Sequence, residues 1–170
     1  SRGADLGHWQ VIEKNVNDED WLFAWQEHFH PKKISRRFWA EPAWEKVSPG
    51  PDEDVLTIDP GLAFGSGFHD TTCLCVQYLE EAVRPGDVVF DIGTGTGILA
   101  IAAAKLGAAH VAAVDFDSAA VAQARVNAAL NGVEDRMSIA NSDLLTAIPK
   151  GQQADVIVAN LVTNAVLALL

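Results

Sequence analysis

The sequence predicts an α/β fold in which a parallel, Rossmann-like sheet is preceded by a smaller tryptophan-rich segment. Three observations support this prediction. Short apolar runs alternate with helical patterns after residue 54, glycine and proline turns separate them, and a glycine-rich loop joins one such run directly to a helix. Strands and helices that alternate at this spacing form parallel sheets through right-handed crossovers.

The tryptophan-rich segment comes first, because all 5 tryptophans lie between Trp9 and Trp44. Acidic residues at 18–20 precede an apolar stripe from Trp21 to Phe29, which predicts a helix that Pro31 ends. Residues 35–41 indicate a short strand, and the prolines and glycine at 48–52 indicate a turn. We therefore expect a Trp-rich linker segment at residues 1–47 and a second domain at residues 48–170.

The elements of the sheet follow in order from residue 54. The pattern predicts strands at 55–58, 88–92, 110–115, 136–140 and 154–160, and helices at 71–83, 98–106, 118–130 and from 161 onward. The apolar run at 88–92 is typical of a strand buried on both faces. Asp70 and Asp117 are expected to cap the helices that follow them, and Gly107 is expected to end the helix before it.

The composition excludes several classes of protein. With 49% hydrophobic and 21% charged residues, the 170-residue chain can bury a core and is not disordered. Its 12 basic and 23 acidic residues give a net charge of -11, so no direct nucleic-acid binding is expected. The 2 cysteines and the scattered histidines predict neither a disulfide scaffold nor a metal site. No run suits a membrane span or a signal peptide, which predicts a cytoplasmic protein without membrane association.

The strongest local signal is the loop Gly93-Thr94-Gly95-Thr96-Gly97 between a predicted strand and a predicted helix. Glycines allow a tight turn and a close approach to a ligand, and the helix N-terminus behind them offers unpaired N–H groups. The next strand ends in Asp115, at the separation where a carboxylate accepts hydrogen bonds from ribose hydroxyls. Together they predict a ligand that contains a nucleoside.

The spacing of the loop distinguishes between nucleosides. The dinucleotide fingerprint requires glycine or alanine at position 98, where this chain has Ile98. The spacing of Gly93, Gly95 and Gly97 is tighter and typical of S-adenosylmethionine sites. Asp143 follows the predicted strand at 136–140, where it either contacts the adenine amine or caps the loop before Leu144.

Three stretches of the sequence carry a resemblance to a known family. They are residues 59–72 (Asp-Pro-Gly-Leu-Ala-Phe-Gly-Ser-Gly-Phe-His-Asp-Thr-Thr), residues 91–102, and Ala159-Asn160-Leu161. These stretches resemble the bacterial methyltransferases that modify the eleventh protein of the large ribosomal subunit. The resemblance implies a class I S-adenosylmethionine-dependent methyltransferase sheet. It also implies that the sheet is truncated after its fourth core strand, so that the domain at 48–170 is incomplete at its C-terminal end, and that the family's N-terminal recognition domain is missing before Ser1.

The resemblance also implies roles for individual residues. Those expected to contact S-adenosylmethionine are Thr72, Gly93, Asp115 and Asn160. Phe64 and Gly65 are expected in a loop beside the methyl donor. Our hypothesis for catalysis is that Asn160 orients the acceptor amine while Phe64 and the loop close over it.

The resulting interpretation is a protein N-methyltransferase that acts on lysine or α-amino groups of a large-subunit ribosomal protein. Alternatives stay open at this point. The chain could be a cofactor-binding unit without independent activity, or it could act on another protein or on a small-molecule amine. A nucleotide-dependent oxidoreductase is a third, weaker interpretation. Asn160 is followed by Leu161 and not by Pro-Pro-Tyr, which disfavours an adenine or glutamine methyltransferase.

Overall fold

The computed structural model describes residues 29–59, 69–143 and 145–161. The predicted helix at 21–29, Phe64, Gly65 and the helix expected after residue 161 lie outside these ranges, apart from their terminal residues Phe29 and Leu161. The elements in chain order are β1 (Lys32–Lys33), β2 (Phe38–Pro42), β3 (Asp54–Ile58), α1 (Asp70–Ala82), β4 (Val88–Ile92), α2 (Ile98–Lys105), β5 (His110–Asp115), α3 (Ser118–Leu130), a 3-10 helix (Glu134–Arg136), β6 (Met137–Asn141) and β7 (Val156–Ala159).

The main sheet has four strands in the order β6-β5-β4-β7, and every neighbouring pair is parallel. Helices α2 and α3 lie in the connections from β4 to β5 and from β5 to β6. The parallel sheet that the sequence predicts is therefore confirmed. From β4 the chain adds β5 and then β6 on one side of the sheet, and it later adds β7 on the other side of β4. Open α/β sheets bind ligands beside such a change of side in the strand order.

A second, smaller sheet precedes the main one. Strand β2 pairs with β3 in parallel and with β1 in antiparallel orientation. Its strands come from both sides of the boundary predicted between residues 47 and 48, and that boundary stays a prediction. Glu41 in β2 is 3% exposed, and its carboxylate accepts hydrogen bonds from Lys46 Nζ (2.9 Å), Thr57 Oγ1 (2.8 Å) and the Val47 amide (2.8 Å).

The two faces of β4 bury different clusters because side chains alternate along a strand. Val89 belongs to the larger cluster, which includes Ile101 of α2 and Phe38 of the small sheet, all fully buried. Phe90 and Ile92 point to the opposite face, which holds a smaller cluster. In α2 every residue from Ile98 to Ala104 is buried. This helix is therefore held on all sides, and its N-terminus is fixed behind the glycine loop.

The structure corrects one predicted helix boundary and confirms another. Asp70 does not cap α1; it lies in the first turn, where its charge favours the helix N-terminus, and His69 is the N-cap residue. Asp117 caps α3 as predicted, because its Oδ1 accepts the Ala119 amide at 2.8 Å. Within the described ranges, no helix has the length and hydropathy needed to cross a membrane.

Candidate functional site

A cavity of about 370 Å³ opens at the carboxyl end of the main sheet. That volume lies within the range of small-molecule sites. The residues that line it come from the ends of β4 and β5, from the segments that follow β4, β5, β6 and β7, or from α1 and α2: Thr72, Ile92, Gly93, Thr94, Gly95, Ile98, Leu99, Val114, Asp115, Phe116, Ser142, Asp143, Asn160 and Leu161. Carboxyl ends of parallel strands meet at one edge of a sheet, so residues distant in sequence converge there.

The glycine loop forms the floor of this cavity. Gly93 has a φ of 74°, a conformation that a side chain strains, and a Cβ there would lie 2.1 Å from Leu161 Cδ2. The amides of Gly93 and Thr94 both donate to the Val114 carbonyl at 2.9 Å, which ties the loop to β5. Gly97, with a φ of 85°, is the N-cap of α2 and is not among the lining residues.

Asp115 stands at the end of β5 with both carboxylate oxygens directed to backbone. Its Oδ2 accepts the Gly95 amide at 2.8 Å and its Oδ1 accepts the Asp117 amide at 2.9 Å. Each oxygen of a carboxylate can accept a second hydrogen bond, so a ligand diol can still bind. The fixed orientation makes Asp115 a preorganised acceptor beside the glycine loop.

Thr72 and Asn160 meet across the cavity although they lie far apart in sequence. The Asn160 Nδ2 donates to Thr72 Oγ1 at 3.2 Å. Thr72 is 1% exposed in the first turns of α1, and Asn160 follows the last residue of β7. Because the amide nitrogen is directed to Thr72, the Asn160 Oδ1 faces elsewhere and can accept from a ligand.

The wall beside β6 combines an acid with an exposed aromatic ring. Asp143 is exposed and lines the cavity, and Phe116 is 80% exposed next to Asp115. The Asn141 side chain donates to the Phe116 carbonyl at 2.7 Å, and the Ser142 amide donates to the Asp115 carbonyl at 2.8 Å. These bonds hold the two loops against each other. The structure therefore offers a flat apolar surface and an acceptor on one side of the cavity.

Asp91 is a buried acid of β4 that the sequence interpretation did not select. It is 0% exposed, and its Oδ2 accepts from Thr94 Oγ1 at 2.6 Å and from the Ala100 amide at 3.1 Å. Among the described residues, its Oδ1 has no hydrogen-bond partner. Burial raises the pKa of Asp91 to about 6, with a further contribution from the nearby Asp115 charge and against the two hydrogen bonds. A charged residue inside an apolar strand is the signal that could have identified it.

The structure thus brings together six of the predicted site residues: Thr72, Gly93, Gly95, Asp115, Asp143 and Asn160. Phe64 and Gly65 lie outside the described residues, and Gly97 supports the loop without lining the cavity. Phe116 was missed because an exposed aromatic residue in a polar stretch has no periodic pattern. Within the described ranges, no group of histidine, cysteine, aspartate and glutamate side chains could hold a metal ion.

A parallel sheet with this glycine turn and acidic acceptor defines a Rossmann-like nucleoside-binding domain, and its similarity to solved structures places it among the class I methyltransferases. A ribosomal protein L11 methylase from Lactobacillus delbrueckii subsp. bulgaricus is 39% identical with a TM-score of 0.76, covering 83% of this chain and 71% of that one. The 16S rRNA N2 G1207 methyltransferase of T. thermophilus, solved with AdoMet and guanosine, is 28% identical with a TM-score of 0.52, covering 58% of this chain and 27% of that one.

The particular family follows from sequence comparison. The family model described as ribosomal protein L11 methyltransferase (PrmA) matches residues 2–170, so the chain belongs to this family. The enzyme of that name from Desulfitobacterium hafniense is 49% identical over 161 residues, which cover 95% of this chain and 51% of the relative. That from Caldanaerobacter subterraneus is 46% identical over 170 residues, covering 100% and 54%.

These comparisons confirm the resemblance and the fold class that the sequence predicts. They also show that the chain spans about half the length of the curated relatives it matches.

Proposed function

We propose that this chain forms the S-adenosylmethionine-binding domain of an enzyme that methylates amino groups of ribosomal protein L11. The observation that carries the proposal is the cavity between the glycine loop and Asp115, in a chain that belongs to this family. A ribosomal protein is methylated where ribosomes are made, so the proposal includes a cytoplasmic location.

The residues of the cavity fit the chemistry of this cofactor. Asp115 supplies acceptors for the ribose hydroxyls, Asp143 an acceptor for the adenine amine, and Phe116 an apolar surface for the ring. The positive-φ turn at Gly93 directs the loop along the floor of the cavity, and the missing side chain there lets Leu161 pack against it. Thr72 and Asn160 complete the opposite wall, and the loop with Phe64 and Gly65 is proposed to lie near the methyl donor.

When bound, S-adenosylmethionine supplies an electrophilic methyl group on a sulfonium. The residues of the chain then have to orient a neutral amine, since methyl transfer by in-line displacement depends mainly on position. A lysine with a pKa of about 10.4 needs roughly 4 to 5 kcal/mol to lose its proton at pH 7, and an α-amine with a pKa near 8 needs about 1 kcal/mol. We assign Asn160 Oδ1 the task of accepting an amine N–H and directing the nitrogen lone pair.

A second candidate function is cofactor binding without independent transfer. The observation that favours it is the coverage of the relatives, of which the chain spans 51% to 54%. Residues outside that span can contribute substrate contacts. Binding and transfer therefore have to be measured separately, on this chain and on the full-length protein.

Calorimetry tests the cofactor. The wild-type chain is expected to bind S-adenosylmethionine and S-adenosylhomocysteine and not NAD. Asp115→Asn keeps the side-chain shape but removes the charge and one acceptor oxygen, so the affinity should fall about 10-fold to 100-fold, as for a lost hydrogen bond to a charged group. Asp135→Asn, an exposed acid in the 3-10 helix, is the matched control and should bind as the wild type does.

Transfer is measured with radiolabelled S-adenosylmethionine and purified L11. Methylation by the full-length protein, lost on Asn160→Ala, supports the proposal, and an Asn160→Ala protein with the wild-type rate would refute the role of that residue. Binding by this chain without transfer would select the second candidate. If the full-length protein bound neither S-adenosylmethionine nor S-adenosylhomocysteine, both candidate functions would be excluded.

A further inference from the structure

Asn141 is the last residue of β6, and its side chain reaches the loop that follows β5. The register of the sheet pairs Asn141 with Asp115, the last residue of β5. Its Nδ2 donates to the Asp115 carbonyl at 3.1 Å and to the Phe116 carbonyl at 2.7 Å. One side-chain amide thus bridges the backbone of two consecutive residues that both line the cavity.

The peptide group between Phe116 and Asp117 is held at both of its polar atoms. Its carbonyl accepts from Asn141 Nδ2, and its N–H donates to Asp115 Oδ1 at 2.9 Å. Because a peptide group is planar, a bond at the carbonyl also fixes the direction of the N–H. The amide of Asn141 therefore helps to set the orientation of the Asp115 carboxylate.

The ring of Phe116 depends on the same peptide group. The side chain is 80% exposed, so packing against the protein restrains the ring little. An exposed ring takes its place from the backbone that carries it, and Asn141 contacts that backbone at the carbonyl. The carboxylate of Asp115 and the ring of Phe116 thus share one restraint.

The rest of this wall stays in place without Asn141. The Ser142 amide donates to the Asp115 carbonyl at 2.8 Å, and β5 and β6 pair in parallel from Val111 to Asp115. Asn141 is itself exposed, so its replacement leaves no gap in the core. Loss of its amide should therefore loosen the turn after β5 without disrupting the sheet.

We propose that Asn141 is a positioning residue for the adenosyl half of the cofactor, because it holds the Asp115 carboxylate and the Phe116 ring in one orientation. The inference rests on the proposed function, which assigns Asp115 to the ribose hydroxyls and Phe116 to the adenine ring. Asn141 lies outside the set of residues that line the cavity, so its effect on binding is exerted through these two residues.

This role predicts which ligands respond to loss of the amide. The net contribution of one hydrogen bond corresponds to about 2-fold to 10-fold in an equilibrium constant, and Asn141→Ala should weaken the binding of S-adenosylhomocysteine by about that factor. Methylthioadenosine keeps the adenosyl half of the cofactor and lacks the amino-acid half. Its affinity should fall by the same factor, because the residues that Asn141 holds are assigned to the half that both ligands share.

The experiment compares Asn141→Ala with Asn131→Ala in the full-length protein. Asn131 is the matched control because its Nδ2 also donates to two carbonyls, those of Thr57 (2.7 Å) and Asn127 (2.8 Å), and neither residue lines the cavity. Calorimetry measures S-adenosylhomocysteine, displacement of the radiolabelled compound measures methylthioadenosine, and thermal unfolding measures stability. Asn131 also accepts the Thr57 amide, so its loss should cost at least as much stability, yet only Asn141→Ala should bind either ligand more weakly.

Three results would overturn the inference. They are wild-type affinity of Asn141→Ala for S-adenosylhomocysteine, an equal loss of affinity in Asn131→Ala, and a loss for S-adenosylhomocysteine that spares methylthioadenosine. If Asn141→Ala does not fold, Asn141→Asp keeps the size of the side chain and removes both N–H donors, and the same measurements apply. A wild-type protein that binds no S-adenosylhomocysteine would refute the proposed function, which is a different outcome.

Discussion

The contact between Gly93 and Leu161 joins the loop that follows β4 to the two residues that follow β7. Gly93→Ala would combine a left-handed backbone with a Cβ 2.1 Å from Leu161 Cδ2. We expect this variant to lose more folding free energy than the roughly 1–2 kcal/mol that the left-handed backbone alone costs. We also expect its affinity for the cofactor to fall. Urea unfolding and calorimetry measure the two effects.

Gly132→Ala is the control for this substitution. Gly132 has a φ of 64°, close to that of Gly93, but a Cβ there meets no atom within 4 Å. It should show the backbone cost alone and keep wild-type affinity. Equal effects of the two substitutions would contradict the assigned role of the Leu161 contact.

The raised pKa of Asp91 predicts a pH dependence of stability with a defined sign. Burial raises this pKa from the ordinary 3.8 to about 6, so the folded protein binds a proton more tightly than the unfolded chain does. The contribution of Asp91 to the free energy of unfolding should therefore fall as the pH rises from about 4 to about 6, by an amount on the order of 3 kcal/mol. Asp91→Asn should remove that slope, as urea titrations at several pH values would show. A variant with the wild-type slope would assign the pH dependence to other groups.

The residues that line the cavity differ in how visible they are in the sequence. The sequence points to Gly93, Gly95 and Asp115 because turns and strand ends carry residue types that the backbone or a nucleoside requires, and all three line the cavity. Asp91 is not visible in this way, because its strand predicts a continuous apolar run and its partners, Thr94 Oγ1 and the Ala100 amide, are brought to it only by folding.

At the scale of elements, the accuracy of prediction follows the strength of local signals. The bounds of β4, β5 and α3 agree with the predicted residues because turns, a cap or a glycine define both ends. Strand β6 begins one residue later than predicted because residues 134–136 form a 3-10 helix. The pairing of β2 with β3 was not predicted, since the choice of a partner strand is a long-range property that neither segment encodes alone.

The small sheet depends on a buried carboxylate whose loss should be measurable. Burial alone would raise the pKa of Glu41, but hydrogen bonds from Lys46, Val47 and Thr57 outweigh it and lower the pKa below its ordinary value. Glu41→Gln places an amide NH₂ against one of these donors and should cost about 1–3 kcal/mol of folding free energy. A lowered pKa gives stability that is lost as the pH falls. The difference in unfolding free energy between Glu41→Gln and the wild type should therefore become smaller at acidic pH.

Glu45→Gln provides the comparison for Glu41→Gln. Its carboxylate pairs with His30 at 2.8 Å, but the two side chains are 43% and 68% exposed. Exposed pairs contribute little, so this variant should unfold at nearly the wild-type urea concentration. A cost as large as that of Glu41→Gln would mean that burial is not what makes the latter important.

At the scale of the whole molecule, the net charge of -11 bears on the proposed substrate. An acidic chain attracts a basic segment of a protein substrate over a distance that salt shortens. Under the proposed function, the KM for L11 should rise as salt is added, while the Kd of S-adenosylhomocysteine should change little because its contacts are local. Steady-state kinetics and calorimetry across a salt series measure the two. If the KM for L11 and the Kd of S-adenosylhomocysteine depended equally on salt, long-range attraction would not be what brings the substrate to the enzyme.

The position of β4 between β5 and β7 has a consequence for biosynthesis. The glycine loop and Asp115 are translated early, but Asn160 and Leu161, which complete the cavity, follow only after β7. At ordinary elongation rates the ribosome needs roughly several seconds to add residues 98 to 161. A nascent chain therefore carries the part of the pocket made by β4 and β5 before β7 and the residues after it have been added, and the lining seen here forms only once β7 has joined the sheet.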